Sequence, residues 1–124
     1  QTGDVHAMHD VTEGGLANGL HELAIASGVK IKIDERNIPV FKESQIFCEL
    51  YGLDPMGIIS SGALLIAASP IGTDKILEEA RLRGLKIIRI GHVDSDGPPS
   101  VTKVTSRGLE PVPFFQRDEM LKIF

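Results

Sequence analysis

The stretch Met8-His9-Asp10-Val11-Thr12-Glu13-Gly14-Gly15-Leu16 contains the strongest structural signal in the chain. Residues 5–8 have the pattern of a short strand, and the leucines that follow recur at the spacing of one helix face. Asp10 and Glu13 stand three residues apart, which is the spacing of a capping box, so the sequence predicts that a helix starts at Asp10. Gly28 is expected to end this helix.

The rest of the chain alternates between strand and helix patterns. Residues 62–68 form a continuous apolar run, which predicts a central strand buried on both faces. In the second helix, Ile46, Phe47 and Leu50 are expected to face inward. The other predicted elements are strands at 29–34, 85–93 and 101–105, helices at 43–51 and from Thr73 or Asp74 to Gly84, a tight polar turn at 94–99, and a tail from 107 with a last helical turn at 118–124. This order predicts a single α+β domain over residues 1–124, a three-layer α/β/α sandwich around a mixed sheet.

Composition and charge narrow the class of protein. The chain has 124 residues, of which 42% are hydrophobic and 24% charged, as expected for one globular domain. Its net charge of −4 does not suggest nucleic-acid binding, and its longest apolar runs are too short to cross a bilayer. Cys48 is the single cysteine, so we expect a reducing compartment, the cytoplasm. Because the first residue is Gln1, we also expect the chain to be a piece of a longer protein.

The glycine pair in the predicted first helical turn has two interpretations. Glycine inside a helix costs about 1 kcal/mol relative to alanine, so Gly14 and Gly15 call for a physical reason. One interpretation is an anion site, because free N–H groups and the positive dipole end favour phosphate or carboxylate, and the Thr12 hydroxyl adds a donor. The other is close packing of the helix on a neighbouring strand.

An ordered set of short motifs resembles one known family. Besides residues 8–16, the matching segments are 38–40, 48–55, 61–65 and 90–93. Together they resemble the C-terminal domain of AIR synthase-related proteins, and most closely the HypE-like, hydrogenase-maturation branch of that superfamily. The resemblance implies the domain fold of that superfamily, which is partly ferredoxin-like.

The resemblance also implies a composite active site. An N-terminal domain, absent here, would hold most of the ATP and magnesium ligands and most of a homodimer interface. This chain would contribute Asp10, Thr12, Gly14 and Gly15 to substrate or phosphate binding, and would not be catalytic alone. The HypE-like branch carries its substrate on a C-terminal cysteine, which residues 119–124 lack, and relatives often have Arg or Gly at the position of Glu13. The sequence therefore predicts reduced phosphate affinity and leaves the reaction open.

Other reactive side chains have weaker signals. His6 and His9 face opposite sides of a strand, so we expect no metal site. Cys48 is expected to be a buried small hydrophobe, and His92 a strand histidine, with a ligand contact as the alternative. Residues 60 and 61, both serine, either form a turn or line the cleft between this domain and the N-terminal domain.

Three functions remain open on the sequence alone. The first is the substrate- and phosphate-facing half of an ATP-dependent enzyme. The second is a non-catalytic maturation or partner-binding module without ATP chemistry, which would recognise a maturation protein. The third is an anion- or nucleotide-binding regulatory domain. An upstream domain with acidic metal ligands and a glycine-rich ATP segment would favour the first.

Overall fold

The computed structural model describes residues 5–11, 14–40, 42–57, 64–94 and 97–116. Its helices and strands are α1 (Gly15–Ser27), α2 (Lys42–Tyr51), α3 (Pro70–Arg83), β1 (Val5–Asp10), β2 (Lys30–Asp34), β3 (Leu64–Ala68), β4 (Gly91–Asp94), β5 (Ser100–Thr105) and β6 (Gly108–Pro111). The strands form a mixed four-stranded sheet and a two-stranded ribbon. The predicted α+β class with a mixed sheet is confirmed. None of the helices in the described parts of the chain is long and apolar enough to cross a membrane.

The four-stranded sheet has the order β4-β2-β5-β6 and carries the core on one face. β2 runs parallel to β5 and antiparallel to β4, so Ile31 lies between Val101 and Val93. The alternation predicted for residues 29–34 is confirmed, because Ile31 and Ile33 are buried while the intervening lysines are not. Leu20 and Leu23 of α1 join the same buried cluster, as the leucine stripe predicted.

The ribbon of β1 and β3 contradicts the prediction of a central strand. β3 pairs antiparallel with β1 and with no other strand in the described part of the chain. Leu64 is 45% exposed and Ile66 37%, whereas Leu65 between them packs against the core. The apolar run therefore has one covered face and one open face, because α1 lies on only one side of the ribbon.

The start of α1 also differs from the prediction. Asp10 is the last residue of β1, where it pairs with Leu64, so its backbone is extended and it does not cap the helix. The helix begins at Gly15, and Gly14 occupies the cap position in a left-handed conformation. The ladder with β3 has overridden the local capping pattern. The predicted end is confirmed, since the Gly28 N–H bonds the carbonyls of the last turn.

The second helix buries less of its surface than its pattern predicts. Ile46 is 48% exposed and Leu50 76%, so the predicted inward direction of these two side chains is wrong. Cys48 is the residue of α2 that is buried, which confirms the prediction for the cysteine. Phe47 is half-buried and packs on Tyr51 with ring centroids 4.8 Å apart.

The third helix starts earlier than predicted. Its cap is Ser69, whose Oγ accepts from the Gly72 N–H at 3.0 Å, and not Thr73 or Asp74. Pro70 follows the cap, and proline is well suited to the first helical position. Gly84 ends the helix as predicted.

The C-terminal third contains one strand that sequence patterns missed. The strand predicted at 85–93 is shorter and later, at Gly91–Asp94, whereas the one predicted at 101–105 is confirmed as β5. β4 and β5 do not pair with each other, because β2 lies between them, so the connection is not a hairpin turn. The segment predicted as tail forms β6, and the helical turn predicted at 118–124 falls outside the described residues.

The segment after β6 is fastened to α1 and β5. The Val112 N–H donates to the Val101 carbonyl at 3.0 Å, and the Val112 carbonyl lies 2.7 Å from His21 Nε2. Buried Asn18 then bonds both backbone groups of Phe115: its Nδ2 donates to the carbonyl at 2.6 Å, and its Oδ1 accepts from the N–H at 2.8 Å. The Asn18 side chain thus forms with Phe115 the two hydrogen bonds that a neighbouring strand would form.

Shortening one buried and one exposed isoleucine should show which side chains belong to the core. Ile33→Ala should lower the free energy of unfolding by about 2–5 kcal/mol, because Ile33 is 1% exposed at the centre of the core. Ile25→Ala is the matched control, and since Ile25 is 68% exposed the change should stay within about 0.5 kcal/mol. Urea unfolding of both variants measures this, and equal losses would contradict the assigned packing.

Removal of the Asn18 side chain should release the terminal segment locally. In Asn18→Ala the Phe115 N–H loses its acceptor, so its hydrogen exchange should accelerate while the Val112 N–H, bonded to Val101, stays protected. The control is Asn37→Ala, at an exposed position. Unchanged protection of Phe115 in Asn18→Ala would show that the amide does not hold the segment.

Candidate functional site

The four predicted site residues fall in one short segment between β1 and α1. Asp10 is the last residue of β1, and Gly14 and Gly15 form the turn into α1. The Asp10 side chain and Thr12 lie outside what the structure describes. The backbone therefore places Asp10 and the glycine pair at the ends of adjoining elements, and their role in phosphate binding stays a prediction.

The two glycines share a left-handed backbone conformation. Gly14 has φ 83° and Gly15 φ 67°, which is a region that residues with a Cβ enter only at a cost. The first N–H groups of a helix have no intrahelical partner, and they point outward from the helix start together with the positive end of the dipole. Gly14 and Gly15 bring no side chain to this end of α1, and both residues are buried.

Gly14 is also required by the side chain of Asn18. A Cβ built on Gly14 would overlap the Asn18 amide, the same amide that holds Phe115. The close-packing interpretation of the glycine pair is thus supported at Gly14. The turn and the terminal segment share Asn18 as a common neighbour, so the shape of the turn depends on the docking of residues 112–115.

A histidine and a carboxylate meet beside this segment. His9 Nε2 of β1 lies 2.7 Å from Glu22 Oε1 of α1, with the side chains 32% and 50% exposed. Sequence reasoning missed this pair, since the residues are 13 positions apart and only the packing of the strand on the helix brings them together. Within the described residues, no three His, Cys, Asp or Glu side chains gather as metal ligands. The pair therefore joins β1 to α1.

The remaining candidate side chains lie elsewhere. His92 is in β4 as predicted, half-exposed, with its Nε2 3.9 Å from Asp94 Oδ2. Cys48 is buried in α2. The serines at 60 and 61, which were predicted to form a turn or line the cleft, are outside the described residues.

Comparison with known proteins finds a family model and relatives that agree with one another. Residues 1–104 match the family model "AIR synthase related protein, C-terminal domain". The chain is 39% identical over 106 residues to carbamoyl dehydratase HypE of Rhizobium leguminosarum bv. viciae, covering 84% of this chain and 30% of the relative. It is also 39% identical over 77 residues to a putative hydrogenase expression/formation protein of Methanocaldococcus jannaschii, covering 62% of this chain and 23% of the relative.

Solved structures agree with this assignment. A crystal structure of hydrogenase maturation protein HypE in complex with ATP superposes with a TM-score of 0.84 at 28% identity, covering 94% of this chain and 37% of that one. A structure of a HypE–HypF complex gives a TM-score of 0.81 at 29% identity, covering 90% and 37%. The chain spans about a third of the length of these proteins. Both its sequence and its fold therefore show that the chain belongs to the AIR synthase related protein family and corresponds to that family's C-terminal domain.

Proposed function

We propose that this chain is the substrate- and phosphate-facing domain of an ATP-dependent, HypE-like enzyme of hydrogenase maturation, and that it is not catalytic alone. The observation that carries the proposal is the turn at Gly14 and Gly15, where two consecutive left-handed glycines form the start of α1. The choice of ATP as the nucleotide rests on a relative, because one solved structure is of HypE in complex with ATP. The rest of the parent, including an N-terminal ATP-binding domain, would complete the site.

The turn suits phosphate for a physical reason. Backbone N–H groups at a helix start donate hydrogen bonds to an anion, and the helix dipole favours negative charge there. The Asn18 amide fills the space beside Gly14, so the proposed approach of a phosphate oxygen is to the backbone at Gly15. Thr12 would add a hydroxyl donor for the phosphate, whereas Asp10, at the end of β1, would face the substrate because its carboxylate repels an anion. Glu13 opposes the anion by its charge, which fits a site whose main affinity comes from the other domain.

ATP, when bound, would activate a substrate oxygen as a leaving group. This chain's residues would orient the phosphates against the substrate, a contribution of positioning and charge stabilisation. Most of the magnesium ligands would lie in the N-terminal domain. The proposed parent is a cytoplasmic homodimer.

The alternative is a maturation or partner-binding module without ATP chemistry. One observation favours it: Met8, Leu64 and Ile66 make one face of the ribbon apolar and partly exposed, although they are not in the core. An exposed apolar face is typical of an interaction surface. The structure of HypE with HypF shows that a relative does assemble with another protein.

Calorimetric titration with ATP and magnesium should distinguish the two functions. The full-length parent is expected to bind the nucleotide, and this domain alone should bind it far more weakly, because it holds only part of the site. If neither binds, the enzyme assignment fails and partner recognition becomes the leading function.

Substitution of one glycine should weaken nucleotide binding selectively. Gly15→Ala in the parent should raise the Kd for ATP by roughly tenfold or more, about 1.4 kcal/mol, because the added methyl group would disturb the backbone that we propose binds phosphate. Gly52→Ala is the matched control: Gly52 has φ 66° against 67° for Gly15, and a Cβ there would meet nothing within 4 Å. Both variants carry similar backbone strain, about 1–2 kcal/mol. Equal ATP affinity in the two variants would remove the turn from the binding site.

A further inference from the structure

An open pocket of about 380 Å³ lies on the polar side of the four-stranded sheet, beside the paired ends of β2 and β4. The lining residues that carry polar or charged groups, or that shape the backbone there, are Lys32, Asp34, Asn37, Arg89, Gly91 and His92. None of them belongs to the turn at Gly14 and Gly15. The pocket is therefore not needed for the proposed function.

Close approach of two strands shapes the pocket. Gly91 pairs with Ile33, and a Cβ on Gly91 would overlap the Lys32 carbonyl and the Ile33 Cα, so the backbones could not come as close with any other residue. The Asp34 N–H continues this pairing by donating to the Ile90 carbonyl at 2.8 Å. Lys32 and His92 are register partners, which puts their side chains on the same face of the sheet.

The pocket is locally positive although the chain has a net charge of −4. Lys32 and Arg89 have no ion-pair partner among the residues that the structure describes. The one carboxylate of the lining, Asp34, is matched by Arg36, with Nη2 to Oδ2 at 2.8 Å and Nε to Oδ1 at 3.0 Å. Hydrogen bonds from the Arg36 side chain and backbone hold the pKa of Asp34 below its ordinary value. The negative charge of Asp34 is therefore already paired with Arg36 in the absence of a ligand.

An ammonium and a guanidinium around one opening are the groups that recognise phosphate in proteins. The guanidinium can bind two phosphate oxygens at once, and lysine adds a point charge. Asn37 supplies an amide that can donate. His92 adds an imidazole, whose Nε2 lies 3.9 Å from Asp94 Oδ2, so among the described residues of the lining the unpaired positive groups are those of Lys32 and Arg89. A volume near 380 Å³ lies within the range of small-molecule sites, roughly 300–1,000 Å³. We propose that this pocket binds the phosphate group of a small phosphorylated molecule, at a site separate from the turn that opens α1.

The test uses this chain, isotopically labelled, and follows its amide resonances during titration with inorganic phosphate at constant ionic strength. Saturable shifts are expected at Lys32, Arg89, Gly91 and His92, with half-saturation at roughly millimolar phosphate. Lys32→Gln and Arg89→Gln should each weaken this binding by roughly tenfold. Lys86→Gln removes one exposed positive charge from the same part of the chain, outside the lining, and should leave the affinity unchanged.

Three results would overturn the proposal. The first is a linear, unsaturated response spread over all basic residues, which is simple ionic screening. The second is an equal loss of affinity in Lys86→Gln. The third is tighter saturation by acetate than by phosphate, which would assign the pocket to carboxylates. Shifts confined to the segment at Gly14 and Gly15 would support the proposed function while refuting this second site, so the two outcomes are distinguishable.

Discussion

The packing of α1 on the parallel pair β2–β5 is the contact on which the rest of the structure depends. Leu20 and Ala24 of the helix meet Ile33 and Val101 of the strands in one buried cluster. β2 and β5 are far apart in sequence, and α2, β3, α3 and β4 are all contained in the connection between them. Parallel strands cannot be joined by a tight turn, so the pairing of β2 with β5 requires a long connection of this kind.

The same helix also contacts the ribbon and the segment at 112–115. A Cβ added to Gly19 would lie 3.4 Å from Leu65 of β3 and from Val11, which shows that α1 packs directly against the ribbon. Asn18, the residue before Gly19, forms with Phe115 the hydrogen bonds that a neighbouring strand would form. Its amide also fills the space beside Gly14. The glycine turn is therefore bounded on one side by Asn18, which also holds the docked segment at Phe115. A ligand at the turn would bind to a backbone that tertiary contacts already hold in place.

The sequence predicted what local patterns and motif order determine. The alternation that gives β2, the glycine ends of α1 and α3, and buried Cys48 needed no knowledge of the remaining chain. Prediction failed where tertiary pairing overrode local pattern: the ladder to Leu64 holds Asp10 in a strand, and α1 covers only one face of β3. The pair of His9 and Glu22 joins residues too distant for any periodicity to connect. The four site residues were predicted from the family resemblance. Of these, the structure explains Gly14 and Gly15, because both have a left-handed backbone conformation that favours glycine.

The central claim is that the backbone at the start of α1 faces a phosphate group. A crystal structure of the full-length parent with magnesium and a non-hydrolysable ATP analogue tests it most directly. The account predicts N–H groups of Gly15 or Leu16 about 2.7–3.2 Å from a phosphate oxygen, the ordinary range for such hydrogen bonds. A nucleotide held wholly by the other domain, with the phosphates out of reach of this turn, would contradict the claim.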